Sequence, residues 1–136
     1  AIEEFPHGFT ASGHPVGCAA GIAALAETRR LKLDENAAAR GKDLAQALAA
    51  LKAKHALVGD VRGKGLMAAL ELVADRDSKK PADKKTMAKV AGAAYEAGVM
   101  LRVSGNNLIL SPPLILTSLD VKAIADGIDA GLSAAG

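Results

Sequence analysis

The chain has 136 residues, enough for one domain with a modest core of its own. Half of the residues are hydrophobic, but many are alanine and the aromatic residues are two Phe and one Tyr, so the core must be aliphatic. The net charge is only +2, with basic and acidic residues mixed along the chain, which argues against a nucleic-acid-binding protein.

The sequence also narrows the cellular setting. No apolar run approaches the roughly 18–20 residues that a membrane-spanning helix needs, and no signal-peptide pattern opens the chain. Cys18 is the only cysteine, which excludes an internal disulfide framework and fits a reducing cytoplasm. The opening residues AIEEFPHGF resemble connecting chain inside a longer protein. We therefore expect this sequence to be a piece of one.

Two helices are predicted first. Residues 14–31 have Pro15 at the first helical position and a cap region at residues 12–14, and small apolar residues then recur at spacings of three and four. Such small side chains allow a very close approach to a neighbouring element. A second helix is predicted from a cap at Asp34 to about Lys54. Its apolar stripe predicts one buried face: Ala37, Gly41, Leu44, Leu48 and Leu51.

Short strands and two more helices follow. Residues 57–73 predict two extended runs around a glycine-bounded turn, and the polar segment 74–85 predicts a surface loop. A third helix ends at Gly98, and residues 99–113 predict two strands around a turn at Ser104–Asn107. The tetrapeptide TSLD at 117–120 is a capping box. The helix faces are Met87, Val90, Ala91 and Ala94, then Val121, Ile124, Ile128 and Leu132.

This order of elements predicts the fold class. Strands bunched in pairs between helices indicate an α+β fold, a small and mostly antiparallel sheet with helices packed on one face. The basic segment 76–85 is interrupted by Asp77 and Asp83 and has no interleaved aromatic residues. A solvated loop is therefore favoured over a nucleic-acid site there.

The segment HGFTASGHPVGCAAG, residues 7–21, is the first candidate site. It places hydroxyl side chains and glycines before a helix start, where N–H groups and the helix dipole suit an anion such as phosphate. The alternative is that Thr10 and Ser12 only cap the helix. His7 and His14 lie seven residues apart with no acidic or cysteine partner nearby, so no metal site is expected.

Arg102 is the second candidate. It is the only charged residue between Glu96 and Asp120, in an apolar strand. Its planar guanidinium suits bidentate binding of a carboxylate, and the alternative is an edge-strand arginine that faces solvent. Residues 59–67, GDVRGKGLM, lack the Gly-Lys-Ser/Thr ending of a phosphate-binding loop and predict a hairpin turn instead.

Three segments taken together carry more information than any one of them. They are HGFTASGHPVGCAAG, VGDVRGKGLMAALELV and GVMLRVSGNNLILSPPLILT, in that order. Together they resemble the C-terminal part of the class III aminotransferases, pyridoxal-phosphate enzymes of fold type I, and most of all the ω-amino acid or amine:pyruvate transaminases. The resemblance implies that residues 1–13 are the tail of the large cofactor-binding domain. Residues 14–136 would be the C-terminal small domain with its leading linker helix.

The resemblance also implies roles for two residues. Thr10 matches the threonine of a GFT-x-SGHP motif, which in the family reaches across a homodimer to the phosphate of pyridoxal 5'-phosphate in the neighbouring subunit. Arg102 matches an arginine that binds the substrate carboxylate and swings aside for an uncharged amine. Ala11 stands where many relatives carry an aromatic residue, and Asn106 where an aspartate often follows the glycine.

The implied reaction moves an amino group from an amine or ω-amino acid to a keto acid such as pyruvate, with no nucleic-acid or membrane partner. The family's Schiff-base lysine lies in the N-terminal domain, and no lysine here sits in a matching motif. No catalytic residue is therefore assigned, and this chain alone is expected to be inactive. The alternative is an isolated, non-catalytic folding or dimerisation domain. Removal from a large partner domain predicts exposed apolar surface.

Overall fold

The structure, a computed structural model, describes residues 8–136. The chain divides into two compact units, residues 1–33 and residues 34–136. The predicted boundary between a large-domain tail (1–13) and a small domain (14–136) stays a prediction.

The first unit contains helix α1, Pro15–Arg30, close to the predicted range. Pro15 occupies the start of the helix, as expected from its fixed φ angle. None of the residues of α1 is buried, and Val16 and Ile22 expose 72% and 70% of their surface. The expectation of exposed apolar surface is confirmed on this helix.

Helix α2 spans Leu33–Lys54 and, from Asp34 onward, belongs to the second unit. Its predicted buried face is confirmed, because Gly41, Leu44, Leu48 and Leu51 are buried. The prediction that Asp34 caps the helix is wrong: the helix already includes Leu33, and Asp34 lies in its first turn, where its charge favours the positive end of the dipole.

The C-terminal end of α2 is closed by a side chain from far along the sequence. Arg76 donates hydrogen bonds to the backbone oxygens of Lys52, His55 and Val58, the last two over 2.7 and 3.0 Å. The last carbonyls of a helix have no partner within the helix, and the guanidinium supplies one. Arg76 therefore belongs to the fold and not to a loose basic segment.

Five strands form an antiparallel sheet. They are β1 (Val58–Lys64), β2 (Met67–Asp75), β3 (Lys80–Pro81), β4 (Arg102–Ser104) and β5 (Asn107–Leu110). The main order is β1-β2-β5-β4, and β3 pairs with β2. The prediction of a plain loop over 74–85 is therefore wrong in part, because two of its residues pair with β2.

Helices α3 (Lys84–Glu96) and α4 (Ser118–Ala135) complete the fold. Asp83 caps α3 by accepting a hydrogen bond from the Thr86 N–H over 2.7 Å. The predicted capping box of α4 is confirmed, since Thr117 and Asp120 each bond to the other's backbone N–H. Gly98 follows α3 with a φ of +89°, a conformation that favours glycine.

The core lies on one face of the sheet. Leu70 of β2 and Leu108 of β5 are fully buried and point towards the helices, as the alternation of side chains along a strand requires. The predicted α+β fold is confirmed. The other members of this cluster come from α2, α3 and α4, from the sheet, and from the connections that contain Leu66 and Ala82: Leu44, Leu48, Leu51, Val58, Leu66, Leu72, Ala82, Met87, Val90, Leu110, Val121, Ile128 and Leu132.

Candidate functional site

Arg102 begins the outermost strand of the sheet. The two short strands β4 and β5 form the predicted hairpin, with Ser104 opposite Asn107 at its closed end. Gly105 in the turn has a φ of +60°, which the absence of a Cβ atom allows without strain. The hairpin thus presents Arg102 at the end of β4 away from the turn.

The strand register places Arg102 on the open face of the sheet. Arg102 lies opposite Ile109, Ile109 opposite Ala69, and Ala69 opposite Arg62. Directly paired residues point to the same side of a sheet, so these four form one row. Leu108 and Leu110, the neighbours of Ile109 in sequence, point into the core. Arg102 therefore stands on the face opposite the helices of residues 34–136.

Two arginines of this row differ in their partners. Arg62 donates hydrogen bonds to Glu71 over 2.9 Å, to Asn107 over 2.6 Å and to Asp60 over 3.2 Å. The bond to Glu71, with that to Asp60, raises the pKa of Arg62 above its already high ordinary value. The charge of Arg62 is thus paired within the sheet.

The carboxylate beside Arg62 is affected as well. Desolvation acts to raise the pKa of Asp60, but hydrogen bonds from Arg62, from the Val61 N–H and from Lys52 outweigh it and hold that pKa below its ordinary value. This carboxylate is therefore ionised at neutral pH, and with Glu71 it compensates the charge of Arg62.

The side chain of Arg102, in contrast, is exposed and makes no hydrogen bond or ion pair within residues 8–136. At the outer edge of the sheet it lines a groove of about 420 Å³ that extends to Ile124 of α4 and includes Ile109, Ser111 and Pro112, among others. A guanidinium with no internal carboxylate, beside an apolar groove, is suited to bind an incoming anion that carries an aliphatic portion. The structure thus places Arg102 on an edge strand, as one alternative held, and leaves its charge available.

Thr10 lies in the first unit, in the turn that precedes α1. The turn is held by the Ser12 N–H donating to the Phe9 oxygen over 2.9 Å and by the Ser12 hydroxyl accepting from the Phe9 N–H over 3.1 Å. Thr10 is exposed, and in the described part of the chain its hydroxyl has no partner. His14, at the N-cap of α1, makes no side-chain capping bond. The start of α1 thus retains donor groups that an anion could use.

The remaining candidates give no second site. His7 lies outside the described residues, and among residues 8–136 no group of three or more His, Cys, Asp and Glu side chains could hold a metal ion. No helix in the portion that the structure describes is long and apolar enough to cross a membrane. Sequence analysis missed the contacts of Arg62, although the signal was present, since Asp60 and Arg62 alternate along one strand with Glu71 on the next.

Comparisons with known proteins identify the family of the chain. Residues 1–132 match the sequence model of the family described as aminotransferase class-III. The chain is 40% identical over 127 residues to a taurine–pyruvate aminotransferase from Bilophila wadsworthia, covering 88% of this chain and 28% of the relative. It is 39% identical to the mitochondrial alanine–glyoxylate aminotransferase 2 homolog 2 of Arabidopsis thaliana, covering 91% of this chain and 26% of that one.

A solved structure gives the same result at the level of the fold. The amine transaminase from an uncultivated Pseudomonas species, in its PLP-bound form, superposes with a TM-score of 0.90 at 41% identity, over 97% of this chain and 30% of the other. The chain thus spans less than a third of the length of these relatives. Together, the match over residues 1–132 and the shared fold show that this chain belongs to the class-III aminotransferase family.

Proposed function

We propose that the chain is the C-terminal portion of a pyridoxal-phosphate-dependent transaminase. The whole protein would move an amino group from an amine or ω-amino acid to a keto acid such as pyruvate, as a homodimer in the cytoplasm. Residues 1–13 would be the tail of its large domain and residues 14–136 its small domain. The family match carries this proposal, and the unpartnered guanidinium of Arg102 supports it.

The described residues fit one end of the cofactor. The exposed Thr10 hydroxyl and the uncapped start of α1 offer neutral hydrogen-bond donors near the positive end of a helix dipole, which is the chemistry that a phosphate group requires. In the proposed dimer they would hold the phosphate of the neighbouring subunit's cofactor. When bound, the pyridine ring of the cofactor supplies an electron sink.

Arg102 would select the substrate. Its guanidinium can donate two parallel hydrogen bonds to a carboxylate, and the groove beside it accepts the carbon chain. Because no residue of the described chain competes for this charge, an acidic substrate would not need to displace an internal ion pair. An uncharged amine would gain nothing from Arg102 and would bind through the apolar wall alone.

A matched pair of donors tests this role in the full-length enzyme. β-Alanine and n-propylamine have carbon chains of the same length, but β-alanine ends in a carboxylate where n-propylamine ends in a methyl group. We expect Arg102→Ala to lower kcat/KM for β-alanine by about 10- to 100-fold, the factor expected for a lost charge-assisted hydrogen bond. Alanine formed from pyruvate is measured, and kcat/KM for n-propylamine should change by less than about threefold.

Two controls accompany the test. Lys122→Ala removes a different exposed cation, which lies in α4, and should leave kcat/KM for both donors unchanged. Arg102→Lys keeps the charge without the planar fork and should give an intermediate loss for β-alanine. Equal losses for the two donors would refute the role of Arg102. Absence of transamination with every amine tested would refute the proposed activity itself.

A further inference from the structure

The turn that closes the β4–β5 hairpin is attached to the centre of the sheet by Asn106. Its backbone oxygen accepts a hydrogen bond from the Leu72 N–H over 2.8 Å. Its side-chain Nδ2 donates to the Leu72 oxygen, also over 2.8 Å. One asparagine thus satisfies both backbone groups of a β2 residue, one position beyond the last β2–β5 pair, Glu71 with Asn107.

This attachment matters because strand β4 of the hairpin has few others, whereas β5 is paired with β2 over four residues. β4 is three residues long, and in the described sheet it pairs with β5 alone. A short edge strand with one neighbour can rotate about that neighbour unless its turn is held. Arg102 is four residues before Asn106 in the sequence, at the free end of β4. A rotation at the turn is therefore transmitted to the guanidinium.

We propose that Asn106 is a positioning residue for substrate selection: its amide clamp on Leu72 fixes the hairpin so that Arg102 reaches the substrate carboxylate. The inference rests on the proposed function, because Asn106 can position Arg102 for a substrate only if Arg102 binds the substrate carboxylate. Asn106 is half-buried and does not line the groove beside Arg102, so it acts through the hairpin and not by touching the substrate.

The donor atom is the essential part of the clamp. Leucine has nearly the size of asparagine but has no N–H to donate to the Leu72 carbonyl. Asn106→Leu therefore tests the bond and not the size of the side chain. Asn106→Ala removes the side chain and keeps the backbone bond.

Both variants should fold. The Leu72 oxygen also accepts a hydrogen bond from the Ala82 N–H over 3.0 Å, so losing Asn106 leaves no unpaired carbonyl there. On the open face of the sheet, Arg62 still holds Asn107 over 2.6 Å. The hairpin would remain but would be less restricted.

The experiment uses the full-length enzyme with β-alanine and n-propylamine as donors. We expect both Asn106 variants to raise KM for β-alanine by about fivefold, the factor that corresponds to one net hydrogen bond. The KM for n-propylamine should stay within about twofold of the wild type. Asp129→Asn serves as the control of comparable destabilisation, because Asp129 bonds to Lys54 and His55 and not to the hairpin. It should leave the ratio of the two KM values unchanged.

Hydrogen–deuterium exchange of the same proteins separates the attachment of the hairpin from its effect on substrate selection. The segment 102–108 should exchange faster in both Asn106 variants, and α4 should not. Equal KM increases for both donors, a wild-type KM ratio in Asn106→Leu, or unchanged exchange in 102–108 would overturn the proposal. If the wild-type enzyme shows no transamination, the proposed function fails, and faster exchange would then support the clamp alone and remove its role in selection.

Discussion

The close approach of α3 and α4 makes a prediction that can be worked out from distances. A Cβ atom built on Gly131 would lie 2.5 Å from the Val90 backbone oxygen and 3.2 Å from the Ala94 Cβ. Real Cβ atoms do not approach this closely, and a carbonyl inside a helix cannot move alone. Gly131→Ala must therefore push the two helices apart.

The cost can be estimated. Adding a methyl group to a well-packed core costs about 1–3 kcal/mol, and contact with rigid backbone puts this site at the upper end. Alanine regains about 1 kcal/mol over glycine inside a helix. We expect Gly131→Ala to lower the free energy of unfolding by about 2 kcal/mol.

Gly92→Ala in α3 is the matched control. Nothing lies within 4 Å of a Cβ atom at Gly92, so this substitution should raise the free energy of unfolding by up to about 1 kcal/mol. The same gain in helix propensity applies to both variants, so the gap of about 3 kcal/mol between them measures the steric term alone. Urea unfolding of the 136-residue chain, followed by circular dichroism, gives both values. Equal stabilities of Gly131→Ala and Gly92→Ala would refute the close approach.

Three further predictions concern other contacts. Arg76→Met should lower the free energy of unfolding by about 2 kcal/mol, because three hydrogen bonds to backbone oxygens are lost. Arg76→Lys has no planar fork and should therefore recover only part of that loss, as measured by urea unfolding. The pKa of Asp129 lies below its ordinary value of 3.8 because of a hydrogen bond from His55 and, to a smaller extent, one from Lys54. The stability that Asp129 contributes is therefore present above pH 3.8 and is lost as the pH falls through the lower folded-state pKa. Asp129→Asn should therefore be less stable than the wild type by about 1 kcal/mol at pH 7, and the urea midpoints of the two should converge once the pH falls below the folded-state pKa of Asp129; a constant gap would contradict this. In the full-length enzyme, Thr10→Ala should weaken pyridoxal phosphate binding about tenfold, as measured by cofactor dissociation, whereas Thr10→Ser should not. Equal cofactor affinities of Thr10→Ala and the wild type would remove Thr10 from the phosphate site.

The helices were predictable because their signals are local. The α2 stripe from Gly41 to Leu51 and the capping box of Thr117 and Asp120 involve residues within one or a few turns of each other. Their spacing in the sequence equals their spacing on the helix surface. The hairpin around Gly105 was predictable for the same reason, since its two strands adjoin the turn.

Contacts between distant segments were not predictable in this way. Arg76 closes the end of α2 more than twenty residues earlier in the chain. The β3 pairing escaped prediction because two residues carry too little periodicity to indicate a strand. Asn106 and Leu72 are 34 residues apart, and nothing in either local sequence indicates their contact.

The candidate site shows the same division. By itself, the sequence determined the elements, the α+β class, the likeness to one enzyme family, and Arg102 as an isolated charge in an apolar strand. Only the tertiary structure decided which face of the sheet Arg102 occupies, that Arg62 in the same row is already ion-paired, and that Asn106 bonds the hairpin turn to β2. The reason is that helix caps and stripes depend on neighbours along the chain, whereas the partner of a charge depends on strand register, which forms only when remote segments pack together.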